Sequence, residues 1–127
     1  MRAVRSRVPA DRWSADLAWR FGAPWLGYRV VDDGDSAVIV RARMRGNANE
    51  LAVVAEFGDP KATQRLAGRT ARKAGCSYAI RIGLPNPAAG YVALPGAGPI
   101  LTWRAVNDEG FPPPANWALA LGDIELF

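Results

Sequence analysis

The sequence predicts an α/β (α+β) domain, in which a mixed, mostly antiparallel sheet carries packed helices. Three observations lead there. Residues 50–83 read as strand, tight loop, helix and strand, a βαβ unit whose crossover joins two parallel strands. Residues 26–44 read as two strands joined at Asp32-Asp33-Gly34-Asp35, an Asp-Gly hairpin turn. Residues 99–106 and 117–121 add two more alternating stretches. Hairpins around a single crossover give a mixed sheet with helices on it.

Taken in order, residues 1–10 form a basic arm, expected to be disordered, and residues 11–127 form one domain. The arm lacks the apolar centre of a signal peptide. Residues 11–21 predict a short helix, because Trp13, Leu17 and Phe21 recur every four residues and Gly22 and Pro24 end the pattern. Residues 26–31 and 36–44 are the hairpin strands. In the second, Val38, Val40, Ala42 and Met44 share one face, and Ile39, Arg41 and Arg43 the other.

The βαβ unit follows. Leu51, Val53, Ala55 and Phe57 fall on one face of its first strand, Ala52, Val54 and Glu56 on the other. Apolar residues on both faces mark a strand buried on both sides. Gly58-Asp59-Pro60 breaks the strand, and Pro60 suits the first turn of a helix over residues 61–74. Gly75 is placed as its C-terminal cap. A strand over 76–82 then carries Cys76, Tyr78, Ile80 and Ile82 on one face, with Tyr78 assigned to the core. Residues 84–98, rich in Gly, Pro and Ala, are a loop with one helical turn near residues 86–90. Trp117, Leu119 and Leu121 alternate with alanines in a final strand buried on both faces.

The composition narrows the chemistry. There is no histidine, which removes histidine acid/base catalysis and most zinc sites. The single cysteine, Cys76, cannot form an internal disulfide and reads as a small buried thiol, consistent with a cytoplasmic protein. No apolar run is long enough to cross a membrane. The net charge of +4 suits an anionic ligand. Arg29, Arg41, Arg43, Arg45 and Arg81 accompany five tryptophans, but no nucleic-acid motif interleaves them, so a nucleic-acid partner is not expected.

The stretches Trp19-Arg20-Phe21-Gly22, Gly98-Pro99-Ile100-Leu101-Thr102-Trp103-Arg104 and Leu121-Gly122-Asp123-Ile124-Glu125-Leu126-Phe127 resemble the C-terminal region of actinobacterial GNAT-family N-acetyltransferases. The element order is similar to the central and C-terminal parts of that fold. The resemblance covers most of residues 12–127. It implies a partial GNAT-like acyl-CoA N-acyltransferase fold, with acetyl-CoA as substrate, an amine as acceptor and no metal. The family's pyrophosphate loop reads Arg/Gln-x-x-Gly-x-Gly/Ala. Here its place holds Phe57, Gly58, Asp59, Pro60, Lys61 and Ala62, so one N–H donor is lost and a negative charge is added.

The resemblance assigns cofactor contacts to Phe57, Gly58, Asp59, Lys61, Ala62, Thr63 and Arg65, at a helix start whose N–H groups suit anions. Arg65, Arg69 and Arg72 or Lys73 run along one helix face, where they attract a phosphate or are merely solvated. The resemblance places a general base at Glu56, whose carboxyl beside an apolar sheet would have a raised pKa. The alternative for Glu56 is an edge carboxylate paired with an arginine. Tyr91 stands where the family protonates the leaving thiolate, and its alternative is an amphipathic loop anchor. The altered loop and missing early elements also allow a non-catalytic half-domain that pairs with itself or with a partner acetyltransferase.

Overall fold

The computed structural model describes residues 19–96 and 119–121. The basic arm, most of the helix expected over 11–21, the strand expected over 99–106 and the last six residues lie outside the described residues. Within them the chain is mixed α+β, with four strands, β1 (Tyr28–Asp32), β2 (Ala37–Arg45), β3 (Ala48–Phe57) and β4 (Tyr78–Ile80), and the helix α1 (Pro60–Lys73). The sheet order is β1-β2-β3-β4. The first two pairings are antiparallel and β3/β4 is parallel, so the crossover read from residues 50–83 is present.

The Asp-rich turn forms as expected. The Asp32 carboxylate accepts from the Gly34 N–H at 2.7 Å, and the Asp33 carboxylate accepts from the Ser36 N–H at 3.1 Å. Such side-chain bonds replace backbone ones in Asx turns, which is why aspartate is favoured here. Arg69 on α1 donates to Asp33 at 2.8 Å and ties the turn to the helix. Arg69, expected on a helix face open to solvent or phosphate, is thus paired with Asp33.

The sheet is buried on both faces. On the α1 side, Val38, Val40, Leu51 and Val53 pack with Leu66, Ala67 and Ala71. On the other side, Ile39, Ala52 and Val54 pack with Leu121, Phe21, Tyr28 and Val30. Burying a side chain of this size contributes roughly 1.5–3 kcal/mol, so these two layers dominate stability. α1 ends as its sequence predicts: Gly75 has φ 68°, the Cys76 N–H donates to the Ala71 carbonyl at 2.9 Å and the Gly75 N–H to the Arg72 carbonyl at 3.2 Å. This pair of bonds satisfies carbonyls that the helix would otherwise leave open.

Several expectations are corrected. The strand expected over 76–82 is only Tyr78–Ile80, and the one expected from residue 26 begins at Tyr28, after a 3-10 turn at Pro24–Leu26. Tyr78 is 40% exposed and is not core; it stands opposite Glu50 in β4, the last strand of the described sheet. Cys76 is only partly buried, against the α1-side core. Leu119–Leu121 is not strand, although Leu121 is buried as its apolar pattern requires.

The face assignment of β3 is also corrected. Ile39 pairs with Ala55 but Val40 pairs with Val53, so Val54 is an extra residue in β3. A bulge of this kind reverses the alternation beyond it. Ala55 and Phe57 consequently join Ala52 and Val54 on the face away from α1. Glu56 is turned to the α1 face, opposite to the strict alternation read from the sequence.

Glu50 is 1% exposed, yet ionisable. Its carboxylate accepts from Arg43 Nε at 2.6 Å, with Arg45 Nη1 at 3.9 Å. Arg43, Glu50 and Tyr78 are register partners across β2, β3 and β4, and the Glu50 hydrogen bond pushes the Tyr78 phenol up, with burial adding to it. A buried carboxylate is tolerated only when bonded in this way.

Candidate functional site

The expected site residues lie at the C-terminal end of β3 and the start of α1. Gly58 makes the turn between them with φ 117°. A Cβ at Gly58 would sit 2.9 Å from the Asp35 carbonyl oxygen and 3.1 Å from Ser36 Cα, so the loop is seated directly against the hairpin turn.

Asp59 is the N-cap of α1. Its Oδ2 accepts from the Ala62 N–H at 3.0 Å, and the Thr63 N–H donates to the Asp59 carbonyl at 2.9 Å. Pro60 has no N–H to offer. The helix N-terminus, read from the sequence as a bed for phosphate, is thus already capped by the chain's own carboxylate. Thr63 is buried and its hydroxyl is spent on Glu56 and the Pro60 carbonyl. Lys61 and Arg65 are exposed, while Ala62 is half-buried. Phe57 packs on the face away from α1.

Glu56 meets partners on both oxygens. Oε1 accepts from the Thr63 hydroxyl at 3.0 Å, and Oε2 accepts from Arg81 Nε at 2.9 Å and Nη2 at 2.8 Å. The arginine-paired alternative for Glu56 is the arrangement seen. Arg81 also donates from Nη1 to the Leu84 carbonyl at 3.2 Å, and its guanidinium carbon lies 5.8 Å from the Tyr91 ring centroid. Gly83 closes over it, since a Cβ there would lie 2.9 Å from both terminal nitrogens.

Tyr91 is the second expected residue, and the structure brings it to the same cluster. Its loop is closed by a two-bond bridge, Asn86 N–H to Tyr91 carbonyl at 2.9 Å and Tyr91 N–H to Asn86 carbonyl at 3.0 Å. The turn inside, Pro87–Ala89, is the helical turn expected near residues 86–90. Asn86 Nδ2 donates to the buried Gln64 at 2.6 Å and docks the loop on α1. The Tyr91 hydroxyl is buried and has no hydrogen-bond partner among the described residues. Burial pushes its phenol up, the negative charge of Glu56 adds to this, and the positive charge of Arg81 opposes it.

Arg81 and Gln64 are the members of this cluster that the sequence reading missed as site residues. Nothing local marks them, because Arg81 meets Glu56 across 25 positions and Gln64 meets Asn86 across 22. Arg81 immediately follows the last residue of β4, where a side chain reaches past the end of the pairing.

The backbone geometry there is distinctive. β3 and β4 pair only at Glu50/Tyr78, Leu51/Ala79 and Ala52/Ile80. β3 runs on to Phe57, so residues 53–57 have no strand partner on the β4 side among the described residues. An unpaired strand edge presents N–H and C=O groups to whatever lies beside it. Among the described residues, no group of three or more Cys, Asp or Glu side chains is placed to hold a metal ion, and no helix is long and apolar enough to cross a membrane.

No protein-family model matches the chain, and no curated protein matches it. Two solved structures are similar, both of the Thermus thermophilus protein TTHA1254. A point mutant of that protein is 17% identical with a TM-score of 0.40, over 66% of this chain and 74% of the other. The wild type is 17% identical with a TM-score of 0.38, over 65% and 73%.

Proposed function

We propose that the chain is a partial GNAT-like domain that binds acetyl-CoA as a substrate and transfers its acetyl group directly to an amine. One observation supports this above the others: the pairing of parallel β3 and β4 ends after three residue pairs, while β3 continues for five residues to the loop that starts α1. The edge of residues 53–57, unpaired on the β4 side among the described residues, can bond the amide groups of an extended acyl-carrying arm as a further strand would. Lys61 and Arg65 are exposed near the helix start, where a phosphate end would lie. In this reading the amine nitrogen bonds to the thioester carbonyl carbon and the carbon–sulfur bond breaks. Glu56 takes the amine proton and Tyr91 returns one to the sulfur. Both Glu56 oxygens are engaged, so Arg81 or Thr63 must yield one of them first. Backbone N–H groups of the β3 edge would polarise the carbonyl.

Calorimetry with acetyl-CoA and with CoA tests the reading. Saturable binding is expected. The absence of heat at about 1 mM ligand, an affinity too weak for about −4 kcal/mol, rejects it.

A second reading, a non-catalytic half-domain for self-association or partner binding, is favoured by the Asp59 cap. The carboxylate holds the Ala62 N–H and places negative charge where a pyrophosphate would need donors. Sedimentation distinguishes the two, since a strict monomer that binds CoA contradicts the second.

A further inference from the structure

We propose that Arg81 is the positioning residue of this site: its guanidinium, rather than backbone pairing, sets Glu56 on β3 and the Tyr91 loop relative to each other where the two parallel strands separate. The naming of Glu56 and Tyr91 as reacting groups rests on the acyltransferase reading; the positioning itself does not.

The strand ladder stops at Ala52/Ile80, and the next residue is Arg81. Beyond that point no β3/β4 backbone bond holds the two elements together among the described residues. Arg81 spans the gap with its side chain. Two of its nitrogens meet Glu56 Oε2, a third meets the Leu84 carbonyl, and its plane lies by the Tyr91 ring. Arg81 and Glu56 side chains are only 14% and 19% exposed, so solvent screens the pair weakly. A fork of donors in fixed geometry is the property that separates arginine from lysine, so the arrangement requires arginine and not merely a cation. A Cβ at Gly83 would press on that fork, 2.9 Å from both terminal nitrogens.

Among the described residues the loop is also tied to α1, by Asn86 to Gln64. If Arg81 positions the loop, its loss should loosen the Asn86–Tyr91 bridge while the sheet core stays protected. Its loss should also change the phenol, which feels Glu56 and Arg81 in opposite senses.

The test uses the full chain and three variants, Arg81→Met, Arg81→Lys and Glu56→Gln, without any ligand. Site-resolved hydrogen exchange follows the Asn86 and Tyr91 amides, with Val40 and Val53 as core references. Tyrosine ring-carbon NMR follows the Tyr91 titration. Arg81→Met should speed exchange at Asn86 and Tyr91 by about tenfold or more, with Val40 and Val53 unchanged. It should also move the phenol further up, while Glu56→Gln brings it down. Arg81→Lys should restore the phenol but not the amide protection, because it supplies charge without the fork. Should Arg81→Met fail to fold, the Lys and Gln variants carry the same two readouts. Unchanged amide protection at Asn86 and Tyr91 overturns the proposal, whatever the phenol does. A failed CoA titration beside the expected exchange result would remove the acyltransferase reading and leave Arg81's role intact.

Discussion

Replacing Gly58 with alanine gives the most direct check of how the site is seated. Two penalties apply. At φ 117° an L-residue is strained, which costs about 1–3 kcal/mol. The new Cβ also lies 2.9 Å from the Asp35 carbonyl oxygen and 3.1 Å from Ser36 Cα, both backbone atoms that cannot swing away. Easing that contact requires the hairpin turn or the α1 start to shift, a cost of about 1–3 kcal/mol for overpacking. The sum, about 2–6 kcal/mol, is a large share of the roughly 5–15 kcal/mol that holds a typical domain. Gly46→Ala is the control. It also has positive φ, 61°, but open space around its Cβ, so only the backbone penalty of about 1–2 kcal/mol applies. Urea unfolding of wild type and both variants measures the difference, with the midpoint of Gly58→Ala falling well below that of Gly46→Ala. Equal destabilisation of the two variants, within about 0.5 kcal/mol, would show that the loop does not press on the turn. The close seating of Gly58, and with it the placement of the α1 start, would then be wrong.

The remaining predictions concern charge. Asp59→Asn keeps a good N-cap and should leave stability within a few tenths of a kcal/mol, while Asp59→Ala should lose about 1 kcal/mol in urea unfolding. If acetyl-CoA binds at this loop, Asp59→Asn should also tighten CoA, with a gain that shrinks as salt rises; unchanged affinity at low salt removes the phosphate from this loop. Provided that acetyl-CoA binds, Glu56→Gln should lower turnover by about a hundredfold with cofactor affinity level, and undiminished turnover removes Glu56 as base. Burial opposes ionisation of Asp33, but hydrogen bonds from the Ser36 and Asp35 N–H groups, the Ser36 hydroxyl and Arg69 outweigh it and hold the carboxyl below its ordinary 3.8. A depressed folded-state value stabilises above the unfolded value and is lost as pH falls through the folded one. Asp33→Asn should therefore flatten the fall in stability below about pH 4, and an unchanged acid limb in thermal melts rules the contribution out.

Local chemistry made much of the fold legible. Asp32-Asp33-Gly34-Asp35 carries its own turn bonds, Asp59-Pro60 its own helix start and Gly75 its own helix end, and each appears where it was expected. The apolar pattern of residues 51–54 also marked a strand buried on both faces, whereas the two-sided burial of Ala37–Val40 emerges only in the fold. Strand ends were less legible: Tyr78–Ile80 is shorter than its apolar run, because pairing stops where the partner strand diverges and not where the residues stop favouring extension. Tyr78 was misplaced for a related reason. Its alternation with Ile80 is real, but the residue is 40% exposed and its phenol meets Glu50.

At the site the division is sharper. Glu56 and Tyr91 were singled out through the family resemblance, from their places at the end of an apolar strand and after a Gly/Pro loop. The side of the sheet that Glu56 faces could not be read in this way, because the bulge at Val54 exists only in the pairing of β3 with β2 and reverses the alternation after it. Nor could the capping carboxylate's capture of the Ala62 N–H be separated in advance from a phosphate site, as both use the same donors. Arg81 was legible only as one arginine among many. What makes it the centre of the cluster is a contact across 25 residues, closed by the crossover of α1. Turns, caps and strand faces follow from forces acting over a few residues. The bulge, the early separation of β3 from β4 and the Glu56–Arg81–Tyr91 cluster depend on which segments the whole chain brings together.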